Sequence, residues 1–144
     1  MTTMETGVAL GIGTILPRLV VTFTRETLVR YAGAGGDFNP IHYSSHAATE
    51  LGLPDVVAHG MLTMGTALRV VTEWADPEAV VQSYSARFTR PMVVPDDGVG
   101  SVLEVTGVVS DLSDDVLTIN VEAFCRGEKV LGAGRVVIDL GRPA

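Results

Sequence analysis

Residues 35–62, GGDFNPIHYSSHAATELGLPDVVAHGML, hold most of what could do chemistry in this chain. They contain Asp37, Asn39 and all three histidines, His42, His46 and His59, the last followed at once by Gly60. A carboxylate and an imidazole close in sequence suggest a general acid/base pair. Two histidines four residues apart suggest a metal. A Gly-Asp-x-Asn-Pro run is also simply what a turn is made of.

Pro40 bears on the choice. It disfavours α geometry at Asn39, so Asp37–His42 is expected as a turn or extended loop rather than one face of a helix. Such a loop can fold a carboxylate and an imidazole back onto one point. A catalytic zinc would want His42 and His46 on one helix with a third protein ligand. Neither that helix nor a glutamate between the two histidines is expected, so no metal is assigned and His46 is read as a solvated side chain. His59 and Gly60 stand at the entry of the next helix. The first amides of a helix have no intrahelical partner and carry the positive end of its dipole. With no side chain at Gly60, an acceptor can come close to its N–H, which is how an oxyanion hole is built. The plainer alternatives are that Gly60 permits a tight helix entry and that His59 caps or packs.

The elements that must position these groups can be read from periodicity. TILPRLVVTF (14–23) reads as a strand interrupted by Pro17. Thr24 is a suitable N-cap for a helix carrying Leu28, Tyr31 and Ala32. Thr27 stands where a capping box would want Glu or Gln, so no box is expected. Gly33, Gly35 and Gly36 are expected to end that helix. SSHAATEL (44–51) reads as a short second helix stopped by Gly52 and Pro54. GMLTMGTALRVVTEWA (60–75) is apolar nearly all round and is expected to be a buried helix. From residue 80 the period changes to two: VVQSYSARF, SVLEVTGVVS, VLTINVEAFCR and KVLGAGRVVIDL, joined by the hairpin-type links DLSDD and RGE. Gln82, Tyr84, Ala86 and Phe88 are expected on one face of their strand. Leu117, Ile119, Val121, Ala123 and Cys125 share one face of theirs. The fold class expected is α+β, an antiparallel sheet wrapped around one long buried helix.

Bulk properties exclude several functions. The chain has 144 residues, enough for one domain (1–144), and 47% of them are hydrophobic. Its net charge of −7 argues against a nucleic-acid binder or a polybasic membrane anchor. A lone cysteine, Cys125, cannot form an internal disulfide. It falls in the apolar phase of a strand and reads as an inert buried thiol. No apolar run approaches a membrane span, and the start MTTMETGVALGIG lacks the basic region of a signal peptide. A cytoplasmic protein is expected. Gly11-Ile12-Gly13 and Gly132-Ala133-Gly134 lack the rest of a nucleotide-binding pattern, and no Gly-x-Ser-x-Gly is present.

YAGAGGDFNPIHYSSHAATELGLPDVVAHGMLTMG resembles the hydratase 2 motif of the MaoC-like, (R)-specific enoyl-thioester hydratases and dehydratases. Both parts of that motif are present, Asp-x-Asn-Pro-x-His and His-Gly-Met-Leu, and ARFTRPMVVPDDG extends the likeness over roughly residues 31–98. In detail the sequence is similar to the catalytic B-type subunits of actinobacterial (3R)-hydroxyacyl-ACP dehydratases. The resemblance implies a hot-dog fold and a dimer, homo- or hetero-, with the thioester bound near its interface. It implies that Asp37 and His42 are the catalytic pair, that Asn39 orients them and that Gly60 is the oxyanion glycine. His59 is placed with Asn39 as a binding or orienting residue. The substrate implied is an acyl-CoA or acyl-carrier thioester, with no cofactor. Two departures stand out. A serine that some relatives carry about two turns after the glycine is missing at Thr66-Ala67-Leu68. Asp96 stands where relatives often have glycine. A hot-dog thioesterase and a non-catalytic acyl-binding subunit are the alternatives. Arg87, Arg90, Arg126 and Arg135, in the sheet half, are candidates for docking an acidic carrier protein.

Overall fold

The computed structural model describes residues 10–141, so the reading of the first residues as lacking a signal peptide lies largely outside them. The chain forms β1 (Leu19–Phe23), α1 (Arg25–Gly35), a 3-10 turn (Pro40–His42), α2 (Ser45–Glu50) and α3 (Gly60–Thr72). Four strands follow: β2 (Val80–Phe88), β3 (Ser101–Ser113), β4 (Val116–Cys125) and β5 (Glu128–Asp139). The five strands make one antiparallel sheet in the order β1-β3-β4-β5-β2. α3 packs against β1, β3, β4 and β5. This is the expected α+β hot-dog arrangement.

The alternation of apolar and polar residues decides which face of the sheet meets the helix. Leu103, Val105 and Val109 of β3, Leu117, Ile119, Val121 and Ala123 of β4, and Leu131, Val136 and Ile138 of β5 are buried, as are Ala67, Val70 and Val71 of α3. Cys125 is buried in the same layer, as its strand phase predicts, and burial raises its thiol pKa. β2 is the exception. Tyr84 and Ala86 are half-buried, but Gln82 and Phe88, expected on the same face, are exposed. An edge strand meets the core along only part of its length. The Arg126-Gly127 turn takes φ 52° and 76°, the left-handed pair of a tight hairpin. The DLSDD link is shorter than expected. Its first three residues extend β3, leaving Asp114-Asp115 as the turn.

Three further expectations are corrected. Thr24 and Thr27 do form a capping box. The Thr24 hydroxyl accepts from the Thr27 amide at 3.3 Å and the Thr27 hydroxyl accepts from the Thr24 amide at 3.0 Å. A threonine oxygen at the third position does the work of the carboxylate because one short side chain is all the reach required. Gly33 and Gly35 lie inside α1, and Gly36 alone, at φ 69°, ends it. α3 stops at Thr72, and it is not buried all round. Met61, Gly65 and Arg69, four apart, form an exposed stripe. None of the helices among the described residues is long and apolar enough to cross a membrane.

Candidate active site

The 3-10 turn begins as Pro40 requires. Asn39 is its N-cap, with its side-chain oxygen accepting from the Ile41 amide at 3.2 Å, while the Asn39 amide donates to the Asp37 carboxylate at 3.2 Å. The turn carries His42 inward to 8% exposure and leaves Asp37 at its rim, the side chain half exposed. His42 Nε2 and Asp37 Oδ2 then stand 3.8 Å apart.

The other ring nitrogen fixes the tautomer. His42 Nδ1 lies 2.7 Å from the Val57 carbonyl oxygen, which can only accept, so Nδ1 carries the hydrogen. The Nε2 lone pair of the neutral ring therefore faces Asp37. A carboxylate oxygen and an imine nitrogen, both acceptors at this separation, form a seat for one water that donates to each.

His59 completes the cluster. It is 1% exposed, and its ring stacks on His42 with centroids 3.8 Å apart and planes at 24°. The Tyr31 ring tilts against it at 4.7 Å. Its Nε2 lies 3.1 Å from the Asp37 carbonyl oxygen and so donates to it. Nδ1, the acceptor that remains, is buried and has no partner among the described residues. Burial holds the His59 pKa below its ordinary value, the Asp37 backbone bond opposing and the nearby His42 adding to the depression. Donor atoms of Asp37, His42 and His59 all lie within 4.8 Å of one another. In stacked rings, however, the lone pairs lie in two nearly parallel planes 24° apart and so do not readily converge on one point, which does not suit tetrahedral coordination. His46 is elsewhere, exposed and paired with Glu50 at 3.3 Å, so the spacing of four does not bring His42 and His46 together as ligands.

α3 begins at Gly60 with His59 as N-cap, and no side chain caps it. Its first turn has no acidic residue, and its first internal bond is from the Thr63 amide to the His59 carbonyl. Among the described residues the Gly60 amide has no hydrogen-bond acceptor, and it lies at the positive end of the helix. Gly60 and His42 line one cavity of about 320 Å³, together with Val57, Thr63, Phe88 and Met92 among others. Thr63 lies one turn into α3 and is buried. It was not singled out in the sequence, although its spacing of three from Gly60 places it on the same helical face. Phe88 was read only as part of a strand pattern. Its ring comes within 3.1 Å of where a Cβ at position 60 would lie. In the region of the second departure, the Asp97 carboxylate accepts from the Val99 and Gly100 amides. These bonds lower its pKa and form a turn in which Asp96 needs no glycine geometry.

An antiparallel sheet wrapped around one long helix, with His42 and the start of α3 at one cavity and the Asp37 carboxylate 3.8 Å from His42, defines a hot-dog protein. The chain belongs to the MaoC-like domain family, whose model matches residues 13–123. Over 79 residues, 55% of the chain, it is 43% identical to 3-hydroxyacyl-thioester dehydratase X of Mycobacterium tuberculosis, but the match spans only 27% of that protein's length. The (R)-hydratase PhaJ1 of Pseudomonas aeruginosa superposes with a TM-score of 0.78 at 25% identity, covering 90% of this chain and 81% of that one. A chain of the ChsH1–ChsH2 complex of Mycobacterium tuberculosis superposes with a TM-score of 0.81 over 91% of this chain and 98% of that one. At 23% identity this is a likeness of fold.

Proposed function

We propose that the protein adds water across the double bond of a trans-2-enoyl thioester, or removes it from a (3R)-hydroxyacyl thioester, with Asp37 and His42 as the acid/base pair. The observation that carries this reading is the pair of acceptors, Asp37 Oδ2 and His42 Nε2, 3.8 Å apart beside the uncapped start of α3. The dehydratase and (R)-hydratase relatives support the reaction class.

In the hydration direction one water donates to both Asp37 and His42. The thioester oxygen lies on the Gly60 amide, where one preorganised donor is worth about 3–4 kcal/mol to a developing oxyanion. The water oxygen bonds to C3 as one of its O–H bonds breaks, and the π electrons move through C2 onto the thioester oxygen. The proton taken from the water is returned to C2, the oxyanion collapses and the pair ends as it began. Because both ends of the addition face one pair, water and proton add on the same face. Asn39 holds the Asp37 carboxylate through its amide, and His59 holds the Asp37 backbone and the His42 ring. The chemistry calls for no cofactor.

A second subunit is part of this reading. β2 closes the sheet with an exposed edge bearing Val80, Val81 and Phe88, and a fold neighbour is a two-protein complex. Carrier docking would use the exposed Arg87, Arg90, Arg126 and Arg135. Arg90 is held only loosely, 3.6 Å from Glu128.

The deciding experiment is hydration of trans-2-enoyl thioesters of graded length, on CoA and on carrier protein, with product stereochemistry and free thiol both read. Formation of the (3R)-hydroxyacyl thioester supports the assignment. Release of thiol without hydration replaces it with a thioesterase.

A further inference from the structure

His42 owes its tautomer to one backbone carbonyl, that of Val57, and Val57 lies in a strap, residues 55–58, with no regular secondary structure beyond an isolated bridge to Val93. The strap is fixed from its far side. The Asp55 carboxylate accepts from the Ser45 hydroxyl at 2.6 Å, from the Val56 amide at 2.7 Å and from the Arg25 guanidinium at 3.1 Å. Arg25 in turn donates through Nε to the Val94 carbonyl at 2.6 Å. Two side chains thus join the starts of α1 and α2 to the strap and to residues 92–94. The same neighbour is bonded along the backbone, Val94 amide to Val56 carbonyl at 2.9 Å and Ala58 amide to Met92 carbonyl at 2.8 Å. Val57 is then bonded to the 3-10 turn from both of its polar atoms: its amide donates to the Ile41 carbonyl at 3.1 Å and its carbonyl accepts from His42.

Arg25 sits where helix electrostatics alone would not put it. It is the first residue of α1, where the dipole disfavours a cation, so its partners must hold it there. Both side chains are largely covered, at 22% and 32% exposure. The Ser45 and Val56 hydrogen bonds hold the Asp55 carboxyl below the usual carboxylate range against the opposing effect of burial, with Arg25 adding a lesser contribution in the same direction.

We infer that Arg25 and Asp55 are positioning residues for the acid/base pair: by anchoring the strap they keep the Val57 carbonyl against His42 Nδ1 and so select the Nδ1–H tautomer of the neutral ring, with Nε2 aimed at Asp37. Neither touches the cavity, so each acts through Val57 and His42. The inference rests on the proposed function for its kinetic consequence but not for its structural one.

The test reads both. In the ¹⁵N-labelled chain without substrate, histidine nitrogen shifts report which ring nitrogen of His42 carries the hydrogen. Wild type is expected as the Nδ1–H tautomer alone. Asp55→Asn and Arg25→Met are expected to mix in the Nε2–H tautomer. Their kcat for enoyl-thioester hydration should fall by roughly 10–10²-fold, the scale of a small misplacement, with KM within about twofold. Arg25→Lys, which keeps the charge but not the fork, should be intermediate. Arg18→Gln breaks a comparable ion pair with Glu104, 2.6 Å long and outside this network, and should leave the tautomer unchanged. If either strap variant is too unstable to study, Ser45→Ala removes one contact to Asp55 and serves instead. Folded variants with a pure Nδ1–H tautomer and wild-type kcat would overturn the inference. If wild type turns over no enoyl thioester, the proposed function falls while the tautomer measurement still decides the role of the strap.

Discussion

His42 and His59 lie face to face, 3.8 Å between centroids, and only one of them faces Asp37 with a free ring nitrogen. Val57 takes the Nδ1–H of His42 and leaves Nε2 open. Asp37's own backbone takes the Nε2–H of His59. Two chemically identical rings are thereby given different tasks by one hydrogen bond each.

Replacing Asp37 by Asn separates catalysis from stability. The side chain is half exposed and stands 3.8 Å from His42, and an Asn side-chain oxygen can still accept from the Asn39 amide, so the stability change is expected within about 0.5 kcal/mol. The hydration rate is expected to fall by about 10²–10⁴. His42→Ala should lose a similar factor, and the double variant little more, because in the proposed mechanism the two groups act through one water. Steady-state kinetics beside urea unfolding check this; wild-type turnover in a folded double variant refutes the pair.

His59 gives stability a pH dependence. Its folded pKa lies below the ordinary 6.5, so between 6.5 and that lower value the unfolded chain binds a proton that the folded one does not. The stabilisation from a neutral, buried ring is therefore full above about pH 7 and is lost as the pH falls through that window, by at most about 1.4 kcal/mol per unit. His59→Phe keeps an aromatic ring in place and cannot titrate. Urea midpoints measured from pH 8 to pH 5 should slope less steeply for the variant than for wild type. Parallel slopes would mean that His59 does not titrate differently in the two states.

Gly60→Ala tests what the glycine is for. A methyl group there meets the Phe88 ring at 3.1 Å, but that ring is 54% exposed and can shift. Stability is expected to change by less than about 1 kcal/mol, since alanine also favours the helix. The hydration rate is expected to drop at least about tenfold, because the added atom stands beside the amide proposed to receive the thioester oxygen. Adding Phe88→Ala relieves the contact. Full recovery of the rate in that double variant would show that the glycine serves only the packing of Phe88.

The threonine capping box can be removed without touching the site. Thr27→Val leaves the Thr24 amide without its 3.0 Å acceptor and is expected to cost about 1 kcal/mol of stability. Urea unfolding measures the loss, and kcat should stay within twofold. An unchanged midpoint would mean that water replaces the hydroxyl at no cost.

How much was legible follows from how local each signal is. The strand phase that buries Leu117, Ile119, Val121, Ala123 and Cys125 is a period of two, readable from the residues alone. The start of α3 at Gly60 and the cap at Thr24 are likewise local. The length of α3 and its exposed stripe Met61–Gly65–Arg69 were not legible, because apolar residues and glycine reveal nothing about which face lacks a neighbour. The capping box was missed because the usual pattern names a carboxylate, whereas the geometry needs only an oxygen within reach.

The sequence by itself determined which residues could carry the chemistry. Asp37, Pro40 and His42 make a turn with a carboxylate and an imidazole near one point, and Gly60 opens a helix with free amides. These depend on bonds within a few residues of chain. Only the tertiary structure decided how each group is held: that Val57, 15 residues on, fixes the tautomer of His42; that His59, 22 residues from Asp37, holds its backbone; and that Arg25 reaches Val94 across 69 residues. Those contacts arise where separate segments pack side by side, and no local periodicity encodes which carbonyl a side chain will find there.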